Sequence, residues 1–165
     1  MIHLDRGPMF SKILAPIQTI MTDQGVFDRA LALAQQNQAG LMLLHVISPE
    51  MRSTPALPNP TLYRYPVITD ELMQGYQQRW EDVENQGLAM LKALAEKAQV
   101  AGVKAEFSQN VGNTGHVICH MADNWEADLI VIRQPDRSKL DELFLGSISN
   151  YILHHASCPV MTIPS

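Results

Sequence analysis

The sequence predicts a single α/β domain: a five-stranded, mostly parallel sheet, doubly wound, with helices on both faces. Three observations carry that expectation. Short continuous apolar runs of strand length alternate with longer segments whose apolar residues recur at steps of three and four. The order is mostly β-α-β, and right-handed crossovers then set the strands parallel with helices on either side. Finally, 165 residues suit one core, and 46% hydrophobic with 18% charged residues excludes a disordered chain or a coiled coil.

Each element follows from local pattern. Lys12–Ile17 (KILAPI) is short, apolar and followed by polar residues, as a buried strand should be. Phe27, Ala30, Leu31 and Ala34 fall on one face of a helix, with Gly40 as its expected stop. Leu41–Ile47 (LMLLHVI) is apolar on both faces, which suits a central parallel strand. Five of the ten prolines then lie between Pro49 and Pro66, so residues 49–68 read as an exposed loop within the domain.

A long helix is predicted from Asp70 to Gln99. Leu72, Tyr76, Trp80, Val83, Gly87, Leu91, Leu94 and Ala98 form its apolar stripe, Thr69 is its expected cap, and Asp70 and Glu71 suit its positive end. Val103, Ala105 and Phe107 alternate with polar neighbours, the pattern of an edge strand with one wet face. Thr114–Trp125 reads as a third helix, Leu129–Ile132 (LIVI) as a buried strand, Ser147–His155 as a fourth helix and Val160–Ile163 as the last strand. Residues 1–9 add no pattern the fold requires, which leaves residues 10–165 as the domain.

Charge and composition narrow the function. Twelve basic against seventeen acidic residues give a net charge of −5, which argues against a general nucleic-acid surface. No apolar run approaches the roughly 20 residues of a membrane helix, and the first eight residues lack the apolar stretch of a signal peptide. Two cysteines without such a signal point to free thiols in a reducing cytoplasm. In doubly wound sheets, ligands bind at the carboxyl ends of strands where the winding reverses. The candidate site is therefore built from the residues just after Ile17, Val46 and Ile132.

The last third of the chain is more specific. Asp128–Ile132 (DLIVI) is followed by Leu143–Ile163 (LFLGSISNYILHHASCPVMTI), with Gly146-Ser147-Ile148-Ser149 at a helix start and His155-Ala156-Ser157-Cys158-Pro159-Val160 entering the last strand. Together with Lys12–Ile17 and Leu43-Leu44-His45-Val46, these motifs resemble the universal stress protein family over roughly Phe10–Ile163. The resemblance implies an adenine nucleotide alpha hydrolase-like fold, a stress-response role and a homodimer joined through the last strand, at Val160, Met161, Thr162 and Ile163. A terminal apolar strand at a sheet edge also calls for a cover on physical grounds.

ATP-binding members of that family resemble one another in a Gly-x2-Gly-x9-Gly-Ser/Thr run after the fourth strand. Here Arg133 and Asp136 stand where the first two glycines would, while Gly146 and Ser147 remain. An Asp usual after the first strand is matched by Gln18. Glycines let backbone amides approach phosphate, and a helix start favours anions. Asp136 opposes phosphate by charge and by its Cβ, whereas Arg133, Arg137 and Lys139 attract it. The expected pocket is thus an altered adenine-nucleotide site for ATP or AMP, lined by Pro16, Ile17, Gln18, Val46, Ile132, Arg133, Asp136, Gly146, Ser147, Ile148 and Ser149. Two alternatives stay open: a member that binds no nucleotide and acts through a protein partner, and a slow nucleotide hydrolase.

No carboxylate pair, Ser-His-Asp order or Cys-His arrangement points to an enzyme. Ser147 reads as a helix cap and phosphate ligand. His116, Cys119 and His120 have a spacing that could face a zinc ion, but no fourth ligand is nominated, so no metal is expected. His154 and His155 suit the negative end of their helix, Cys158 reads as a packing residue, and Trp80 and Trp125 as packing aromatics.

Overall fold

The apolar runs become the strands of one sheet. The computed structural model of the chain describes residues 8–48, 70–134 and 146–164. The loop at 49–68, the Thr69 cap, the Leu72 side chain and all but the end of the amino-terminal extension lie outside what is described. The elements run β1 (Lys12–Pro16), α1 (Ile20–Asn37), β2 (Gly40–Ile47), α2 (Asp70–Val100), β3 (Ala105–Val111), α3 (Thr114–Trp125), β4 (Leu129–Arg133), α4 (Ser147–His155) and β5 (Val160–Ile163). The strand order is β3-β2-β1-β4-β5, and all four pairings are parallel. Winding reverses at β1, whose Ile13 is in register with Leu41 on one side and Leu129 on the other.

Strand alternation divides the interior into two cores. Ile13, Ala15, Ile17, Leu41, Leu43, Leu129 and Val131 meet Val26, Phe27, Ala30 and Ala34 of α1 and Leu91, Leu94, Ala95 and Ala98 of α2. Leu14, Met42, Leu44, Val46, Ile130 and Ile132 meet Ile118, Cys119 and Ala122 of α3 and Ile152 of α4. The α2 stripe is fully buried only from Gly87 onward, while Tyr76, Trp80 and Val83 stay half-buried. The cause is length. Thirty-one residues at about 1.5 Å each outrun strands of five to eight residues at about 3.3 Å.

Two boundaries differ from the sequence expectation. Helix α1 stops at Asn37, before Gly40, because Gln38 takes the left-handed conformation at φ 53°. Ala39 N–H then returns to the Ala34 carbonyl at 2.9 Å, which satisfies the helix end without glycine, and Gly40 opens β2. Glu126 ends α3 in the same way at φ 56°. Strand β3 begins at Ala105 rather than Val103 and runs on to Val111. Val103 belongs to the turn, with its N–H on Ala98 O at 3.0 Å, and β2 supplies backbone partners up to the Ile47–Val111 pair. Polar Gln109 and Asn110 are tolerated because β3 is an edge strand.

Candidate functional site

The carboxyl ends of β1, β2 and β4 and the amino ends of α1, α3 and α4 surround a cavity of about 250 Å³. Pro16, Gln18, Val46, Ile132, Arg133, Gly146, Ser147, Ile148 and Ser149 line it together, drawn from parts of the chain more than 130 residues apart. Ile17 does not. It is 0% exposed and packs in the opposite core, because its side chain alternates with Pro16 across the sheet. Asp136, with Arg137 and Lys139, lies outside the described residues.

The cavity also takes Asp23, Leu44, Thr114, Ile118 and Ile152, which sequence reasoning missed. Leu44 shares a face with Val46 two residues on, so strand period alone could have added it. Asp23 follows Thr19, the N-cap of α1, by four residues, near the spacing at which a first-turn carboxylate reaches back to the amides before a helix. Thr114, Ile118 and Ile152 come from helices that only the tertiary fold brings over the strand ends.

The polar groups are arranged in a definite order. Asp23 is 5% exposed. Its Oδ2 accepts the backbone N–H of Gln18 at 2.8 Å and of Thr19 at 3.1 Å, and its Oδ1 accepts Nε of Arg133 at 3.2 Å. Thr19 itself makes no side-chain cap, so the carboxylate closes this helix start. Gln18 Oε1 is buried without a hydrogen-bond partner among the described residues. An acceptor buried in that way costs about 1–3 kcal/mol until a donor reaches it. Across the cavity, Gly146 is the N-cap of α4, and among the described residues no side chain caps the first-turn amides. Unmatched N–H groups and the helix dipole make that end favourable to an anion.

The other singled-out groups are occupied elsewhere. His116 and His120 lie on the exposed side of α3, beside a separate surface hollow that also includes Asn110 and Met121. His116 Nδ1 meets Tyr151 Oη at 3.1 Å, and His120 Nδ1 meets Asn124 Nδ2 at 3.0 Å. Among the described residues no group of three or more His, Cys, Asp or Glu could hold a metal ion. Cys119 is buried and Cys158 half-buried. Desolvation first, and then Asp123 beside Cys119, pushes that thiol up; desolvation and the nearby Asp128 and Asp123 do the same to Cys158. Both therefore stay neutral and pack. His155 stacks on Tyr151 at 3.9 Å and bonds its carbonyl through Nδ1 at 2.8 Å, at the carboxyl end of α4. No described helix is long and apolar enough to cross a membrane.

A parallel sheet wound in both directions, with a cavity at the strand ends where the winding reverses, defines the α/β proteins that take small ligands at such a switch point. Within that class the assignment is direct. The sequence profile of the universal stress protein family matches residues 9–164, and the chain belongs to that family. It is 30% identical over 158 residues to universal stress protein Sll1388 of Synechocystis, covering 93% of this chain and 97% of that one. It is 31% identical over 155 residues to universal stress protein YxiE of Bacillus subtilis, covering 94% and 99%.

Solved structures share the fold. Hypothetical protein MJ0577 superposes with a TM-score of 0.74 at 17% identity, over 95% of this chain and 97% of that one. A universal stress protein in complex with cAMP superposes at 0.61 with 18% identity, over 94% and 97%. One from Archaeoglobus fulgidus in complex with dAMP superposes at 0.54 with 16% identity, over 94% and 98%.

Proposed function

We propose that this universal stress protein is a cytoplasmic, homodimeric and non-catalytic stress-response module that binds an adenine nucleotide in the cavity at the ends of β1 and β4. The observation that carries the reading is the polarity of the cavity. Gln18, whose Oε1 is buried without a hydrogen-bond partner among the described residues, lines one side, and the start of α4, which no described side chain caps, lines the other. Apolar Leu44, Val46, Ile118 and Ile132 line the space near them. An adenine nucleotide has that sequence of groups: amino and hydroxyl donors, a flat apolar base, and phosphate. The neighbours bound to cAMP and dAMP support the choice of adenine.

Catalysis has no support in this geometry. Among the described residues Asp23 is the carboxylate that lines the cavity, and two amides and Arg133 take three of its roughly four acceptor sites. A general base needs a free lone pair within reach of the attacking water. Phosphate release from ATP is expected to stay below one turnover per chain.

Dimerisation rests on β5. It ends the sheet, pairs only β4 among the described residues, and leaves Val160, Met161, Thr162 and Ile163 half-buried. Edge strands of this kind are normally covered or paired. Light scattering at micromolar concentration should give twice the 18.4 kDa chain mass, and Met161→Glu should shift it to monomer or aggregate.

The test of the ligand is calorimetric titration of purified protein with ATP, ADP and AMP, with mass spectrometry of the denatured protein for carried-over nucleotide. Saturable binding of any of the three supports the reading. Silence with all three would transfer the function to protein partners.

A further inference from the structure

Asp23 holds two different parts of the cavity at once, and the inference drawn from it rests on the nucleotide reading above. Its side chain is 7% exposed, and a carboxylate so buried persists only with compensating partners. One partner is the backbone of Gln18, the residue whose buried Oε1 has no partner among the described residues. The other is Arg133, which lines the cavity with its side chain 38% exposed. A guanidinium in contact with a buried carboxylate presents little net charge to a third group, since the two fields largely cancel a few ångströms away. The acid and base that the described residues bring to the cavity wall are therefore spent on each other.

We propose that Asp23 is the positioning and specificity-determining residue of this cavity. It fixes Gln18 for the nucleoside and withholds Arg133 from phosphate. The site then takes adenosine with one phosphate, received by the start of α4, and gains little from a second or third phosphate. Asp23 touches no ligand in this scheme; it acts through Gln18 and Arg133.

The experiment compares adenosine, AMP and ATP by calorimetry without added magnesium, so that each phosphate presents its full charge. In the wild-type protein, ATP and AMP affinities within fivefold of each other support the proposal, and a wider preference for ATP overturns it. Asp23→Asn keeps a carbonyl oxygen for the turn amides but removes the charge that compensates Arg133. It should raise the ATP-to-AMP affinity ratio at least fivefold, and a smaller change overturns the proposal. Adding Arg133→Gln should return the ratio to within twofold of wild type, and persistence of the gain in that double variant overturns it. Gln18→Leu, which leaves Asp23 and its backbone partners in place, should weaken adenosine at least tenfold; unchanged adenosine binding overturns the role of Gln18. A purely structural Asp23 would alter stability without moving the ratio. If no adenine ligand binds the wild-type protein, the nucleotide reading falls and this inference with it. A steep dependence on phosphate number overturns this inference alone.

Discussion

The two faces of the sheet carry two helices each and differ in how much of the sheet those helices cover. Helices α1 and α2 have 18 and 31 residues, and α3 and α4 have 12 and 9. At about 1.5 Å per residue, the first pair spans roughly 27 and 46 Å, the second roughly 18 and 14 Å. The long pair seals its face. Gly87 of α2 comes so close to β2 that a Cβ there would lie 2.5 Å from Nδ1 of buried His45, which itself bonds Gln109 Oε1 at 2.9 Å. Among the described residues the short pair leaves a corner uncovered at the ends of β1 and β4, and that corner is the cavity. The cavity lies where the short helices end, so the sealed core and the proposed ligand site fall on opposite sides of one sheet.

The sharpest way to break that contrast is to hollow out the sealed face. Phe27 is 0% exposed at the centre of that core. Phe27→Ala should cost about 3–5 kcal/mol in denaturant unfolding, since a rigid, fully packed site relaxes little around the void. Ile118, 2% exposed, borders the cavity on the other face. Ile118→Ala should cost less, about 2 kcal/mol, because the removed atoms adjoin space already empty. Equal losses at the two positions would refute the division between a sealed face and an open one.

A smaller effect is expected where α3 meets α4. A Cβ on Gly115 would lie 2.8 Å from a ring carbon of Tyr151. Gly115→Ala should push that ring away and disturb its bond to His116, at a cost of about 1–3 kcal/mol. Alanine's better helix propensity offsets about 1 kcal/mol of this. A stability gain, with the Tyr151 near-ultraviolet signal unchanged, would show that the short helices have slack at their own joint.

The smallest effect concerns pH. Both thiols sit in the core of the open face with pKa raised above the ordinary 9.0. The unfolded chain therefore releases these protons first as pH rises, and the folded chain binds more protons in the window above the ordinary thiol value. Their contribution is complete below pH 9 and declines as pH climbs towards the folded values. Urea unfolding from pH 8 to pH 10 should show a falling slope that Cys119→Ala makes shallower. A slope unaltered by that substitution would place its cause elsewhere.

Much of this architecture was legible before any coordinates. Apolar runs of four to seven residues fixed the strands, and helical spacing fixed the helices, because both patterns are local. The errors have local causes too. Gly40 drew the end of α1 too late, since two helices here end on left-handed Gln38 and Glu126 rather than glycine. Ile17 was grouped with Pro16 and Gln18 although strand alternation puts it on the other face. For the cavity, Gln18, Arg133, Gly146 and Ser147 stood out through their place in the family motifs. Asp23 did not, because its importance lies in an ion pair across 110 residues, which no local spacing reveals.

The place of β1 at the middle of the sheet governs when the chain can finish folding. Its backbone is held on one flank by β2, made soon afterwards, and on the other by β4. Asp128 even caps its entry, accepting the N–H of Ser11 at 2.7 Å and of Lys12 at 3.1 Å. At about 5–20 residues per second, a ribosome needs roughly 6–23 s to pass from Pro16 to Arg133. Through that interval one edge of the future central strand waits unpaired, a template for any stray strand nearby. The sealed face already has both its helices by then, and can shelter the other side of β1. The open face has only α3 of its two helices until α4 emerges, so a ligand in the proposed site can steady the chain only after α4 has been made.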